Sequence, residues 1–206
     1  SSHQIVPIGS IDNLIIETGL RPKGGVSEYI SGAYSLGGEH IHKDNGMLEI
    51  TEKNRKYVPL NFFDNAKKGK VKKGDILLCK DGALTGKLAM VDDSLDNEKT
   101  MINEHIFIIR ADNQLLQTYL FVFLFSRMGQ KLLKNCITGS AVTGINSTKL
   151  KQLRIPLPND IDKIKKVCID WQITQDKFKS INMSIDNYYN EIDNILLKNN
   201  ILDSLN

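Results

Sequence analysis

The chain is 206 residues long, with 41% apolar residues, 25% charged residues and a net charge of +3. That balance fits one medium domain, or a domain with an appendage, and argues against a disordered chain. Its longest apolar run, Tyr119 to Phe125, is too short to span a bilayer, and Ser1 to Ser10 lacks the basic start and apolar stretch of a secretory leader. Cys79, Cys136 and Cys168 are far apart, odd in number and set among apolar neighbours. This argues against a disulfide framework or a zinc site and for a reducing cytoplasm.

Residues 17–60 are rich in glycine and polar groups and read as loops with short strands. Within them Glu39-His40-Ile41-His42 could place two imidazoles on one side of a strand, but a metal site needs further ligands, and nothing ties His3 or His105 to this stretch. Next comes a lysine run, Lys67-Lys68-Gly69-Lys70-Val71-Lys72-Lys73, and residues 61–91 hold seven lysines against three aspartates. Such a patch is either a polyanion footprint or a solvated loop that blocks edge pairing.

The stretch Gly74-Asp75-Ile76-Leu77-Leu78-Cys79-Lys80-Asp81-Gly82-Ala83-Leu84-Thr85-Gly86-Lys87 resembles a phosphate loop at first sight. The spacing excludes it. Three residues, not four, separate Gly82 from Gly86, and Leu88 stands where a magnesium-binding hydroxyl is needed. Strands are predicted at Asp75–Cys79, Lys87–Val91 and His105–Arg110, with the two glycines shaping a turn between the first pair. The nearly continuous apolar run of the third fits a strand covered on both faces. Leu116, Leu120, Phe123, Leu124, Met128, Leu132 and Leu133 predict helix over 114–137, and Gly139 to Gly144 a loop.

Leu153-Arg154-Ile155-Pro156-Leu157-Pro158 is an extended segment that ends the glycine- and proline-bearing part of the chain. Beyond it a heptad stripe runs through Ile164, Trp171, Phe178, Ile185 and Ile192, with Tyr188 in the accompanying seam. With Asp160 as N-cap, one helix from about 160 to 203 would be roughly 65 Å long at 1.5 Å per residue. Its stripe must be buried on a partner helix, in this chain or another; the alternative is two shorter helices packed on the domain. The expected class is therefore α+β: a mixed domain over 1–158, then a long helical segment over 159–206 that packs in coiled-coil fashion. No Asn/Asp-Pro-Pro-Tyr/Phe loop, nuclease Glu-x-Lys motif or Gly-x-Ser-x-Gly elbow is present, so the sequence gives no positive sign of catalysis.

Several stretches together resemble one target-recognition domain, with its following helix, of the specificity subunit of type I restriction–modification systems. They are Ile8-Gly9-Ser10-Ile11 with Gly19 and Pro22; Lys73-Gly74-Asp75-Ile76-Leu77-Leu78 with Asp81-Gly82 and Gly86; and Ile102-Asn103-Glu104-His105-Ile106. Tyr119-Leu120, Ser126, Gly129, Gly139-Ser140, Ile145, Leu150 and Ile155-Pro156-Leu157-Pro158 continue the pattern. The resemblance covers nearly the whole chain. A full-length subunit of that kind has two recognition domains and two long antiparallel helices, and this chain has one of each. It is thus a half-subunit that dimerises, a fragment, or the recognition region of a single-chain methylase or methylase–nuclease.

The resemblance implies duplex DNA recognition without catalysis in this chain. Arg21, Lys23, Tyr34, Ser35, Glu39, His40, His42 and Lys43 are the expected base readers. Lys67, Lys68, Lys70, Lys72, Lys80 and Lys87 are expected at phosphates, with Thr143 and Asn146 as further contacts. The implied partners are methylase subunits, a second recognition domain or copy through the C-terminal helix, and a restriction subunit. S-adenosylmethionine is expected only in the methylase. The rival readings are a helical assembly protein with no DNA role and a nuclease or hydrolase with no recognisable motif.

Overall fold

The computed structural model describes residues 3–139, 143–181 and 184–202. Strands β1 (His3–Pro7), β2 (Ile15–Thr18), β3 (Ala33–Leu36) and β4 (Tyr57–Val58) lead to helix α1 (Leu60–Asn65). Then come β5 (Ile76–Cys79), β6 (Leu88–Met90), β7 (Thr100–Ile102), β8 (Ile106–Arg110), α2 (Gln114–Phe125) and α3 (Arg127–Lys134). The chain closes with β9 (Ile137–Thr138), β10 (Gly144–Ile145), α4 (Ser147–Gln152), β11 (Arg154–Pro158), α5 (Ile161–Ile181) and α6 (Ile185–Lys198). The fold is α+β. It divides into a sheet unit, Ile15–Arg110 with Ile137–Ile145, and a helical unit, Ser1–Leu14 with Ala111–Cys136 and Asn146–Asn206. The composition break at 158 falls inside the helical unit, between β11 and α5.

In the sheet unit β2-β8-β5-β6 form an antiparallel sheet and β4-β3-β7 a second, in which β3 and β7 run parallel. The expected hairpin is present: Ile76 faces Met90 and Leu78 faces Leu88. Gly82 (φ +82°) and Gly86 (φ +88°) take the left-handed angles that turn requires. Strands β5 and β8 are buried along their apolar runs, as a strand covered on both faces must be. Beneath β8, Arg110 Nε and Nη2 donate to Asp75 Oδ1 and Oδ2, both at 2.6 Å, and Asp75 is only 1% exposed. The same carboxylate accepts from Lys72 N at 2.7 Å, and Arg110 Nη2 also reaches Lys70 O at 2.9 Å. The lysine loop is thus clamped to the sheet by its backbone, with Lys67, Lys68, Lys72 and Lys73 exposed and Val71 packed on the core.

In the helical unit the continuous helix expected over 114–137 is broken at Ser126. Its hydroxyl accepts from Gly129 N at 3.1 Å and so caps α3 while ending α2. Helix α2 is apolar and buried all round from Tyr119 to Phe125, the pattern of a central helix. Helix α5 is the expected long helix, and Asp160 Oδ1 caps it by accepting from Asp162 N at 2.8 Å. It ends at Ile181, however, and does not run on to 203. A second helix starts at Ile185, capped by Ser184, whose Oγ accepts from Asn187 N at 3.3 Å.

Helix α6 packs back on α5, so both sides of the heptad stripe come from one chain. Phe178 and Tyr188 stack at 4.2 Å between centroids, and Trp171 sits 5.7 Å from Tyr188 and 5.4 Å from Phe121. Trp171, Tyr188 and Ile192 are buried, Phe178 and Ile185 are half-buried, and Ile164, near the start of α5, is also buried. Lys198 pairs with Asp170 at 2.7 Å, and Arg127 with Asp193 at 3.0 Å. No helix among the described residues is long and apolar enough to cross a membrane.

Candidate nucleic-acid interface

The polar loop of the sheet unit starts from a backbone crossing. A Cβ on Gly19 would lie 1.8 Å from Ile102 O, and one on Gly69 would lie 2.9 Å from the Gly19 Cα. Only glycine allows these strands of chain to touch, and Leu20 N then donates to Ile102 O at 3.1 Å. The contact brings residues 20–25 beside the lysine run. Two hollows among the described residues border this contact, and a third is lined by other residues of the sheet unit. The largest, about 610 Å³, is lined by Leu20, Pro22, Tyr29, Phe62, Lys67 and Lys68 among others. A second of about 500 Å³ shares Leu20 and Pro22 with it and adds Arg21, Lys23 and Glu104. A third, about 440 Å³, holds Glu39, Asp81, Asn103 and His105.

A chain of charges links the second and third hollows. Arg21 pairs with Glu104 at 2.8 Å, His105 Nε2 lies 3.5 Å from Glu104, His105 Nδ1 lies 2.6 Å from Asp81 Oδ1, and Lys80 lies 3.0 Å from Asp81 Oδ2. Lys56 pairs with Glu39. Burial pushes the Glu39 carboxyl up, but the Lys56 hydrogen bond, a backbone hydrogen bond and the nearby His40 and Lys56 charges together hold it below its ordinary value. Cys79 lines the third hollow, yet burial pushes its thiol up to about 11, with Asp81 adding to the effect. It is a poor nucleophile there.

The residues singled out from the sequence fall into distinct groups. Arg21, Lys23, Lys67 and Lys68 are exposed and line adjoining hollows. Among the described residues Lys23, Lys67, Lys68 and Lys72 have no acidic partner; Lys68 Nζ donates to Thr18 Oγ1 at 3.2 Å. Lys70 Nζ is occupied by Asp64 O at 3.1 Å and lies 4.9 Å from the Phe63 ring centre. Lys43 and Lys87 flank Asp44 at 3.8 and 3.9 Å. Tyr34 stacks on Tyr57 at 5.4 Å, with Arg55 over its ring.

Ser35 and His40, expected as base readers, are 2% and 1% exposed. His40 Nδ1 accepts from Gly37 N at 2.9 Å and Nε2 meets Asn54 O at 2.7 Å, so the imidazole holds the 37–54 loop together and offers nothing outward. His42 Nδ1 accepts from Asp44 N and Asn45 N at 3.1 and 3.2 Å, a local turn contact. Thr143 is exposed in the sheet unit. Asn146 belongs to the helical unit and caps α4, accepting from Thr148 N and Lys149 N at 2.9 and 3.2 Å. Ser140, Ala141 and Val142, within the expected loop, lie outside the described residues.

Sequence reasoning missed Tyr29, Phe62, Asn61 and Asn65, which line the largest hollow, and the Asp81–His105–Glu104 link. The first set lacked a motif. The second was legible only as separate polar residues, 24 positions apart, until β5 and β8 paired.

The chain combines a unit of mixed sheets with a helical unit, and Arg21, Lys23, Lys67 and Lys68 line hollows on the loops of the first. Residues 21–187 match the family described as the type I restriction modification DNA specificity domain, and the chain belongs to that family. Solved structures share the fold. The S subunit of a type I restriction–modification system from M. genitalium matches at TM-score 0.54 and 13% identity, over 87% of this chain and 41% of that one. The HsdS subunit from Thermoanaerobacter tengcongensis matches at TM-score 0.58 and 16% identity, over 96% of this chain and 44% of that one. A chain from a study of type I R-M complex assembly and conformational transition matches at TM-score 0.62 and 16% identity, over 98% and 45%. This chain therefore spans less than half the length of those structures. No curated protein sequence matches it.

Proposed function

We propose that the chain reads a half-site in duplex DNA as the specificity component of a restriction–modification adenine methyltransferase complex. The observation that carries this reading is the set of basic hollows around Arg21, Lys23, Lys67 and Lys68 in a chain of this family. Of these, Lys23, Lys67 and Lys68 are exposed cations with no acidic partner among the described residues and suit phosphate, which sets register and most of the affinity, while Arg21 is paired with Glu104. The polar side chains between them suit base edges. In this reading the chain supplies no catalytic group. S-adenosylmethionine binds the methylase subunits, which flip and methylate the adenine, and a restriction subunit joins the same assembly.

The helical unit would join this module to its partners. Although its heptad seam is filled from within the chain, α5 keeps Ile161, Ile169 and Ile173 at 51, 60 and 51% exposure, and α6 keeps Leu197 at 48%. Isoleucines eight and four positions apart share a helix face, and that face suits a second copy, a second recognition domain or a methylase subunit. Selection from a random duplex pool, by the protein with its methylase partner near physiological salt, tests the proposal. Enrichment of one gapped motif supports it, with a palindrome pointing to a dimer of half-subunits. No enrichment by an assembled, folded complex overturns it in favour of an assembly protein.

A further inference from the structure

Phosphate contact alone does not account for the largest hollow. Leu20, Pro22, Tyr29 and Phe62 give it an apolar, aromatic wall, while Asn61, Asn65, Lys67 and Lys68 also line it. The residue following Tyr29 is Ile30, which is 91% exposed. A single exposed isoleucine is ordinary, but this one sits on a loop bounded by Gly25 (φ +92°) and Gly32 (φ +138°), left-handed angles that fix the path of the chain. A Cβ on Gly32 would lie 2.1 Å from Val58 O, so that end of the loop is seated against β4.

We propose that this hollow receives a nucleobase unstacked from the target DNA and that Ile30 fills the gap the base leaves. The proposal rests on the DNA-reading function above. A base offers a flat π-face for Tyr29 and Phe62 and a hydrogen-bonding edge for the Asn61 and Asn65 amides. The phosphates on either side of it bring negative charge, which meets Lys67 and Lys68 at the hollow and Arg21 and Lys23 in the hollow that shares its Leu20–Pro22 wall. An apolar peptide segment would fill the wall and leave Lys23, Lys67 and Lys68 unanswered, whereas Arg21 is already paired with Glu104. An exposed aliphatic side chain on a loop is the kind of wedge that unstacks a base step.

The test is a scan of the half-site in the intact complex. One base at a time is replaced by an abasic position, which releases its partner from pairing and lowers the cost of unstacking it. Binding is read by fluorescence anisotropy for the wild-type protein, Ile30→Ala and Tyr29→Ala. Tightening of about tenfold at one position in the wild-type complex, lost in both variants, is the expected result. Two results overturn the inference: a flat scan in a complex that still selects its half-site, or tightening that survives both substitutions, which marks a base held by the methylase instead. Loss of half-site selection by the wild-type complex itself would sink the DNA-reading function together with this inference.

Discussion

Asp75 shows how one buried carboxylate serves an exposed surface. It accepts two hydrogen bonds from Arg110 and one from the Lys72 amide, so it joins the core sheet to the lysine loop. Asp75→Ala would leave the half-buried Arg110 guanidinium unpaired, and breaking such a pair costs about 3–5 kcal/mol. Urea denaturation of this variant should show that loss, and a loss below about 1 kcal/mol would mean the pair is not the anchor. Cys79 and Cys168 give a pH-dependent companion. Burial pushes both thiols up to about 11, above the roughly 8.5 of a thiol in an unfolded chain. The folded state therefore favours their neutral form. The stability this lends is complete below the unfolded value and is lost as pH rises from there toward 11. Unfolding curves at pH 7.5, 9 and 10.5 should decline accordingly, and Cys79→Ala should decline less steeply; an equal slope would place the titration elsewhere.

At the scale of elements, α5 and α6 share a seam with one flaw. The Tyr188 side chain is fully buried against Trp171 and Phe178, and its hydroxyl has no hydrogen-bond partner among the described residues. Such a group costs about 1–3 kcal/mol when left unsatisfied, so Tyr188→Phe should raise the thermal midpoint, and a fall would reveal a partner for the hydroxyl. The exposed face of α5 behaves differently. Ile169→Lys and Ile173→Lys should leave the midpoint nearly unchanged, within about 0.5 kcal/mol, yet weaken assembly in sedimentation with the partner subunits. Unchanged assembly would remove that face from the interface.

This helix pair also shows what the sequence could and could not convey. Of the seven-residue stripe, Ile164, Trp171 and Ile192 are buried and Phe178 and Ile185 half-buried, because part of the stripe faces the α5–α6 seam and part lies nearer the helix ends. The stripe could not say whether 185–198 continued the first helix or folded back, since either arrangement repeats every seven residues. Strands β5, β6 and β8 were legible from unbroken apolar runs. The two-residue strands β4, β9 and β10 have no such period, and the Gly19–Gly69 crossing depends on residues 50 positions apart. His40 and Ser35 read as polar loop residues because nothing local reveals that the fold closes over them.

For the whole molecule, the proposed DNA reading could rest on a located surface or on the overall positive charge. The two make different predictions for lysines a few positions apart. Lys67 and Lys68 are exposed and have no acidic partner among the described residues, whereas Lys73 is equally exposed but pairs with Asp93 and lies 3.9 Å from Asp96. Hydrogen bonding to Asp93 raises the Lys73 pKa and commits its charge internally. Each phosphate contact releases counterions, so log K should fall with log salt by about 0.9 per contact. Lys67→Ala and Lys68→Ala should each lower that slope by about 1 and weaken binding evenly across sequences, as phosphate contacts do. Lys73→Ala should leave the slope unchanged. An equal effect from all three would mean that the lysine loop acts through net charge alone. The hollows beside it would then lose their place in the proposed interface, since that proposal positions them through phosphate contacts at Lys67 and Lys68.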